Sequence, residues 1–180
     1  MRARSGFTLV EVLIVVALIG IIVAIAVPGL LRARMAGNEA SAVGSLRSVV
    51  SAELVYSTSC ARGYAEDLVE LGKPPSIGGQ TFISPDLGVA TPILKSGYQL
   101  DYTAGSVIAS AQGSCTSANN GGPLPVIGYT FTADPVSFGA TGLRNFGTSE
   151  QQAIYFIQAP ATTTVLFDAN GVSTNGSPLR

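Results

Sequence analysis

The stretch that decides the fold is residues 6–31, GFTLVEVLIVVALIGIIVAIAVPGLL, in which one acid, Glu11, stands at the start of an apolar run. From Val12 to Leu31 the chain carries no charged residue. Twenty residues of α-helix span about 30 Å, which is the thickness of a bilayer core. A carboxylate in hydrocarbon costs roughly 2.5–3.5 kcal/mol on insertion scales. The sequence therefore predicts a membrane-length helix whose acid lies near the interface or has a partner.

Two other membrane-directed segments compete with this interpretation. A secretory signal peptide has an apolar core of about 7–15 residues followed by a small-residue cleavage site, whereas this run is longer and charged helical sequence follows it. A plain signal-anchor is the second alternative. Arg2 and Arg4 precede the span and favour an inside N-terminus, although Arg32 and Arg34 soon after the span weaken that bias.

The helix is predicted to continue beyond the apolar run and to end near Ser57 to Cys60, a length of about 75 Å from Phe7. Pro28 lacks an amide donor and crowds the preceding turn, which predicts a kink or a local break at that residue. In the second half, apolar residues at spacings of three and four predict one buried face: Val43, Leu46, Val50 and Leu54.

The remainder of the chain is rich in turns and short strands. A short helix over Tyr64–Gly72 and a loop from Pro74 to Ile93 are expected first. Alternating segments then predict strands at Tyr98–Tyr102, Val107–Ala111, Tyr129–Ala133, Ala153–Ile157 and Thr164–Phe167. The predicted fold class is α+β, with a long N-terminal helix, apolar then amphipathic, packed against a C-terminal antiparallel β-sheet.

Composition argues against several classes of function. The formal net charge of −1 is unlike that of a general nucleic-acid binder, and the absence of histidine removes the commonest general base and metal ligand. We expect no catalytic residues, no metal site and no cofactor. The segment Asp168–Gly171 has two interpretations: an Asn-Gly turn after a strand, which is favoured, and a calcium loop.

Two cysteines, Cys60 and Cys115, lie beyond the apolar run. If that part of the chain is outside the cytoplasm, a disulfide between them is the favoured interpretation, and two free thiols are the alternative.

The motif Gly6-Phe7-Thr8-Leu9-Val10-Glu11, followed by an apolar span and Pro28, resembles the type IV pilin and pseudopilin family. The resemblance implies that a prepilin peptidase cuts between Gly6 and Phe7 and that the new amine of Phe7 is methylated. Loss of two arginines changes the formal net charge from −1 to −3. The resemblance also implies that Glu11 engages the Phe7 amine of a neighbouring subunit and that Pro28 belongs to the assembly helix. The Phe7 amine of the same chain, one helical turn away, is the alternative partner of Glu11.

The implied organisation is a leader at residues 1–6, a membrane and filament-core helix half at 7–31, an amphipathic half at 32–59, a connecting loop with a short helix at 60–97 and a sheet domain at 98–180. The implied function is a structural subunit of a type IV pilus, held in the inner membrane and then assembled into an extracellular filament for adhesion or motility. The implied partners are further copies, prepilin peptidase and the pilus assembly machinery.

Three alternatives remain open on the sequence. The first is a pseudopilin of a type II secretion system, which works in the periplasm. The second is a minor pilin that acts as an adhesin or DNA-uptake receptor, although no Lys/Arg cluster follows residue 34. The third is a lone membrane anchor with a periplasmic domain, which would leave the Gly6–Phe7 junction without a purpose.

Overall fold

The fold is built around one helix, α1 (Leu9–Ser59), of 51 residues. The computed structural model describes residues 8–76, 78–117, 121–158 and 163–179. Helix α1 continues through Pro28, so a local break there is wrong, whereas a kink at this residue stays a prediction. Proline removes one amide donor from a helix, and the uninterrupted backbone bonds of the flanking turns maintain the helical conformation here.

The second layer is a six-stranded antiparallel sheet in which strands that follow one another in sequence are also neighbours in the sheet. Its strands are β1 (Ile93–Lys95), β2 (Tyr98–Ala104), β3 (Tyr129–Pro135), β4 (Asn145–Ser149), β5 (Ile154–Ile157) and β6 (Ser177–Pro178). The central register pairs Leu100 with Ala133 and Phe131 with Thr148. With α1 on one face of this sheet, the predicted α+β fold is confirmed.

The sheet packs only on the second half of α1. The buried residues of the helix begin at Met35 and end at Tyr56: Met35, Glu39, Ala42, Ser45, Leu46, Val49, Ala52, Glu53 and Tyr56. Of the predicted face, Leu46 is buried, Val43 is partly buried against the core and Val50 is partly buried, whereas the prediction is wrong at Leu54, which is 45% exposed. The true face has the same spacing of three and four but contains two acids, a serine and two alanines, which conceal it from a hydropathy pattern.

Three predicted strands are present as β2, β3 and β5, and two predictions are wrong. Val107 forms only an isolated bridge with Val126, and Phe167 forms one with Ser173. The segment around Val165 instead covers the outer face of β4, where a Cβ on Gly147 would lie 2.9 Å from Val165 and 3.0 Å from the ring of Phe167. Apolar alternation in this segment reflects a covering layer and not a ladder of hydrogen bonds.

The connection between helix and sheet is held by a disulfide. Cys60 and Cys115 are bonded, with their Cα atoms 5.0 Å apart, which confirms the predicted pairing. The short helix is α2 (Leu68–Leu71), shorter than expected because Asp67 caps it by accepting from the amide of Glu70. Glu70 binds Lys73 at 3.0 Å and also accepts from the Thr116 hydroxyl, so α2 is joined to the residue that follows Cys115.

Candidate assembly interface

The start of α1 is closed by a reciprocal cap between Thr8 and Glu11. The amide of Glu11 donates to Thr8 Oγ1 at 3.3 Å, while the amide and hydroxyl of Thr8 donate to Glu11 Oε2 at 2.9 and 2.8 Å. The pair satisfies two amides that an isolated helix end leaves without partners. Within the described residues, Glu11 Oε1 has no hydrogen-bond donor, so this oxygen is available to a cation at the helix start.

The first half of α1 forms a stem whose every described residue from Thr8 to Arg34 is exposed. Leu9 is 78% exposed and Ile25 is 76% exposed. The helix has a stretch with mean hydropathy 3.2 and is, in the part of the chain that the structure describes, the one helix long and apolar enough to cross a membrane. Apolar area of this extent in water is unfavourable by about 25 cal/mol per Å², so the stem requires lipid or protein around it.

Polar contacts at the base of the sheet hold the stem in a fixed direction. Glu39 Oε2 accepts from Arg144 Nε at 2.8 Å and Nη2 at 2.6 Å, and its Oε1 accepts from the amide of Leu143 at 2.9 Å. On the preceding residue, Asn38 Nδ2 donates to the carbonyl of Thr141 at 3.0 Å. These bonds join α1 to the loop before β4. The apolar stem therefore projects from the folded head, by which we mean the described residues from Met35 onward, instead of folding back on it.

The sequence-predicted site residues do not form one cluster. Glu11 lies at the start of the stem and Pro28 lies within it, whereas the Cys60–Cys115 bond is at the opposite end of α1. Gly6 and Phe7, the predicted processing residues, lie outside the described residues. The structure therefore places an exposed apolar helix half at one end of α1 and a disulfide at the other.

Sequence analysis missed the two buried acids of α1, Glu39 and Glu53. Their signal was positional: both belong to the series 35, 39, 42, 46, 49, 53 and 56, which is spaced by three and four throughout. A search for one helical face irrespective of polarity finds this series, whereas a search for apolar residues does not.

The segment Asp168–Gly171 forms a turn. Asp168 Oδ1 accepts from the amides of Asn170 and Val172, both at 2.9 Å, and Gly171 has a φ of 71°. A short acid that binds amides two and four residues ahead is the usual stabilising element of such turns. The favoured turn interpretation is therefore what the structure contains.

Comparison with known proteins finds similarity to part of the chain. Residues 1–27 match the family described as the prokaryotic N-terminal methylation motif. The type IV wide pilus major component PilA4 of Thermus thermophilus is 41% identical over 56 residues, which are 31% of this chain and 43% of that protein. The type IV major pilin protein PilA of Myxococcus xanthus is 32% identical over 77 residues, which are 43% of this chain and 34% of that protein.

The chain spans less than half the length of each of these relatives. Its N-terminal motif, its long helix with an exposed apolar half and its antiparallel sheet agree with those matches. In its N-terminal part the chain is therefore similar to type IV pilins. Both relatives carry the names of major pilus components and neither carries that of a secretion-system pseudopilin.

Proposed function

We propose that this protein is a major structural subunit of a type IV pilus and that it assembles through the stem, residues 8–34. The observation that carries the proposal is the complete exposure of this apolar helix half beside a head whose core is closed. A soluble protein rarely leaves so large an apolar surface in water. Lipid covers it before assembly, and the stems of other copies cover it in the filament.

The chemistry of assembly is proposed to depend on Glu11. Cleavage between Gly6 and Phe7 frees an amine, which after methylation still carries a positive charge next to the helix start. Thr8 holds the Glu11 carboxylate at that same end through Oε2 and leaves Oε1 free of donors within the described residues. An amine of the next copy supplies the missing donor. Because both charges lose water when they pair, the pair fixes the axial register between subunits more than it strengthens their association.

The proposed location follows from the same surface. The stem lies in the inner membrane until the assembly machinery withdraws the processed subunit, and the filament then extends outside the cell, where it serves adhesion or motility. The head, braced by the Cys60–Cys115 bond, faces an oxidising compartment throughout, which is where disulfides persist.

The decisive experiment separates the charge of Glu11 from its capping role. Glu11→Gln keeps an oxygen that accepts from Thr8 but carries no charge, so we expect insertion and processing to continue and surface filaments to disappear. Thr8→Ala removes the cap, which costs about 1 kcal/mol of helix stability, yet retains the carboxylate, so filaments should still form. Electron microscopy of sheared surface fractions, with immunoblots of the membrane fraction, measures both outcomes.

The opposite pattern, with filaments from Glu11→Gln and none from Thr8→Ala, would show that Glu11 acts as a cap and not as an intersubunit partner. Processing is tested separately by the intact mass of the purified subunit. We expect a chain that begins at a methylated Phe7. A filament subunit that retains residues 1–6 would contradict the proposed cleavage.

A further inference from the structure

The second buried acid of α1, Glu53, differs from Glu39 in having no cation beside it. Glu53 is fully buried at 0% exposure. The ion pairs in the described part of the chain involve Glu39, Glu70 and Asp86, and none includes Glu53. An ionised carboxylate without a cation in such a place is strongly unfavourable.

The contacts of Glu53 contain more acceptors than donors. The amide of Ala65 donates to Glu53 Oε2 at 2.9 Å. The Tyr102 hydroxyl oxygen lies 2.7 Å from Glu53 Oε1 and also 2.7 Å from the carbonyl oxygen of Ala65. A tyrosine hydroxyl has one hydrogen to donate, and both of these neighbours are acceptors if Glu53 is ionised.

One additional proton on Glu53 satisfies every contact. The carboxyl O–H then donates to the Tyr102 oxygen, the Tyr102 hydroxyl donates to the carbonyl of Ala65, and the amide of Ala65 donates to the remaining carboxyl oxygen. Three hydrogens serve three contacts in a closed ring. With an ionised Glu53, two hydrogens serve the same three contacts, and one pair of oxygens faces each other without a proton between them.

Within the described ranges, no ion pair compensates a negative charge on Glu53. Tyr56 faces it from α1, Tyr64 from the connector (residues 60–97), Tyr102 from β2 and Tyr129 from β3. Asp67, Glu70 and Glu150 add further negative charge around these tyrosines. Burial raises the pKa of Glu53 to about 7, and this effect exceeds the opposing hydrogen bonds from Ala65 and Tyr102.

We propose that Glu53 is a proton-binding site that controls the joint between α1, the connector and the sheet, so that the joint is closed when Glu53 is protonated and weakened when it ionises. The site is distinct from the assembly surface and does not rest on the filament proposal. Because the folded chain binds this proton more tightly than the unfolded chain, stability decreases as pH rises from about 4.5 to about 7. The unfolding equilibrium constant should increase by roughly two orders of magnitude over that interval.

The test compares Glu53→Gln with the wild type in the full chain in detergent. Glutamine is an uncharged side chain of nearly the same shape as the protonated acid, with Nε2 able to donate to Tyr102 and Oε1 able to accept from Ala65. We expect similar urea midpoints at about pH 5 and, at about pH 8, an unfolding constant for Glu53→Gln up to roughly one hundred times smaller than that of the wild type. Glu66→Gln, an exposed glutamate in the connector, is the matched control and should follow the wild type at both pH values.

The proposal is overturned if Glu53→Gln retains the pH dependence of the wild type or is the less stable protein at about pH 8. Infrared spectroscopy supplies a readout that requires no folded variant. The wild type at about pH 6.5 should show the carbonyl band of a protonated carboxylic acid that disappears as pH rises through about 7. A wild-type spectrum without that band would overturn the proposal whatever the behaviour of the variants.

Discussion

Among single residues, Glu39 illustrates how a buried charge is tolerated when a cation and an amide meet it. Its side chain is 10% exposed and that of Arg144 is 38% exposed. The guanidinium also lies 5.3 Å from the ring centre of Phe146 and 5.5 Å from that of Phe156. These contacts fix Arg144 in a position that serves both the ion pair and the packing of β4 and β5.

Arg144→Met should therefore destabilise the head. The substitution keeps much of the apolar volume but leaves Glu39 without its cation. We expect a loss of about 2–3 kcal/mol in the free energy of unfolding, below the value for a fully buried pair because water reaches Arg144. Urea unfolding followed by circular dichroism measures the change. Arg47→Met, at an exposed position of the same helix, is the control and should change stability by less than about 0.5 kcal/mol; equal losses in the two variants would contradict the argument.

Asp134 provides a second residue whose charge depends on pH. Its Oδ2 accepts from the Thr164 hydroxyl at 2.9 Å, while its buried Oδ1 has no partner within the described residues. Burial, followed by the charge of Asp101, raises the pKa of Asp134 to about 6, against the lowering effect of the Thr164 bond.

The folded-state pKa of Asp134 exceeds its unfolded value, so its contribution to stability is present at low pH and is lost as pH rises from about 4 to about 6. Asp134→Asn has no titrating group at this position and should remove this pH dependence. The wild type is expected to lose about 1 kcal/mol relative to the variant between those pH values, a figure reduced because Asp134 is only partly buried. Parallel urea series at several pH values measure the difference, and a constant difference across the range would show that folding does not raise the pKa of Asp134.

At the level of elements, β4 is the strand on which packing leaves least room. All five of its residues are buried, because α1 lies on one side and the segment around Val165 lies on the other. Gly147→Ala would place a Cβ 2.9 Å from Val165 and 3.0 Å from the ring of Phe167. We expect this overpacking to cost about 1–3 kcal/mol and to displace the covering segment.

Gly44→Ala is the matched control for Gly147→Ala. Gly44 is an exposed residue of α1, and a Cβ there meets nothing within 4 Å. The helix propensity of alanine should stabilise the isolated subunit by about 1 kcal/mol. Opposite signs in thermal unfolding of the two variants are the expected result. If both substitutions stabilise, the cover over β4 is looser than its contacts indicate.

The same elements show what the sequence predicts and where it fails. Helix α1 is predictable because an uncharged run of membrane length has one stable backbone conformation. Strands β2 and β3 are predictable because their apolar residues alternate. Strand β4, Asn-Phe-Gly-Thr-Ser, has no such pattern, since it is covered on both faces and its polar side chains donate to backbone carbonyls, for example Thr148 to that of Ala153 at 3.0 Å.

The residues of the candidate site also differ in whether the sequence alone predicts them. Glu11 is recognisable from sequence because it interrupts an apolar run. Glu39 and Glu53 are not, because their partners, Arg144 and Tyr102, are distant in sequence and are brought near only by the fold. The local sequence pattern thus predicts the proposed assembly surface. Contacts between residues distant in sequence determine how the head is attached to the stem.

Considered as a whole molecule, the protein consists of a closed head and an open stem on one continuous helix. Described residues before Met35 contribute nothing to the core, and the buried series begins at that residue. In the proposed function the stem serves association and membrane insertion, whereas the buried contacts that fold the chain lie in the head. This division predicts that the two halves of α1 respond differently to deletion.

Removal of residues 1–28 should leave a soluble, folded head. A short helical segment, residues 29–34, then remains before Met35, and every contact of Glu39 is retained. We expect a monomer with the disulfide intact and an unfolding free energy within about 0.5 kcal/mol of that of the full chain. Removal of residues 1–40 is the matched control, because it deletes Met35 and Glu39 and leaves Arg144 without its carboxylate; a loss of about 3 kcal/mol is expected. Analytical ultracentrifugation and urea unfolding of both truncated chains measure these outcomes. If the shorter deletion aggregates or unfolds as the longer one does, the stem contributes to the fold of the head, and the division into two functional halves is wrong.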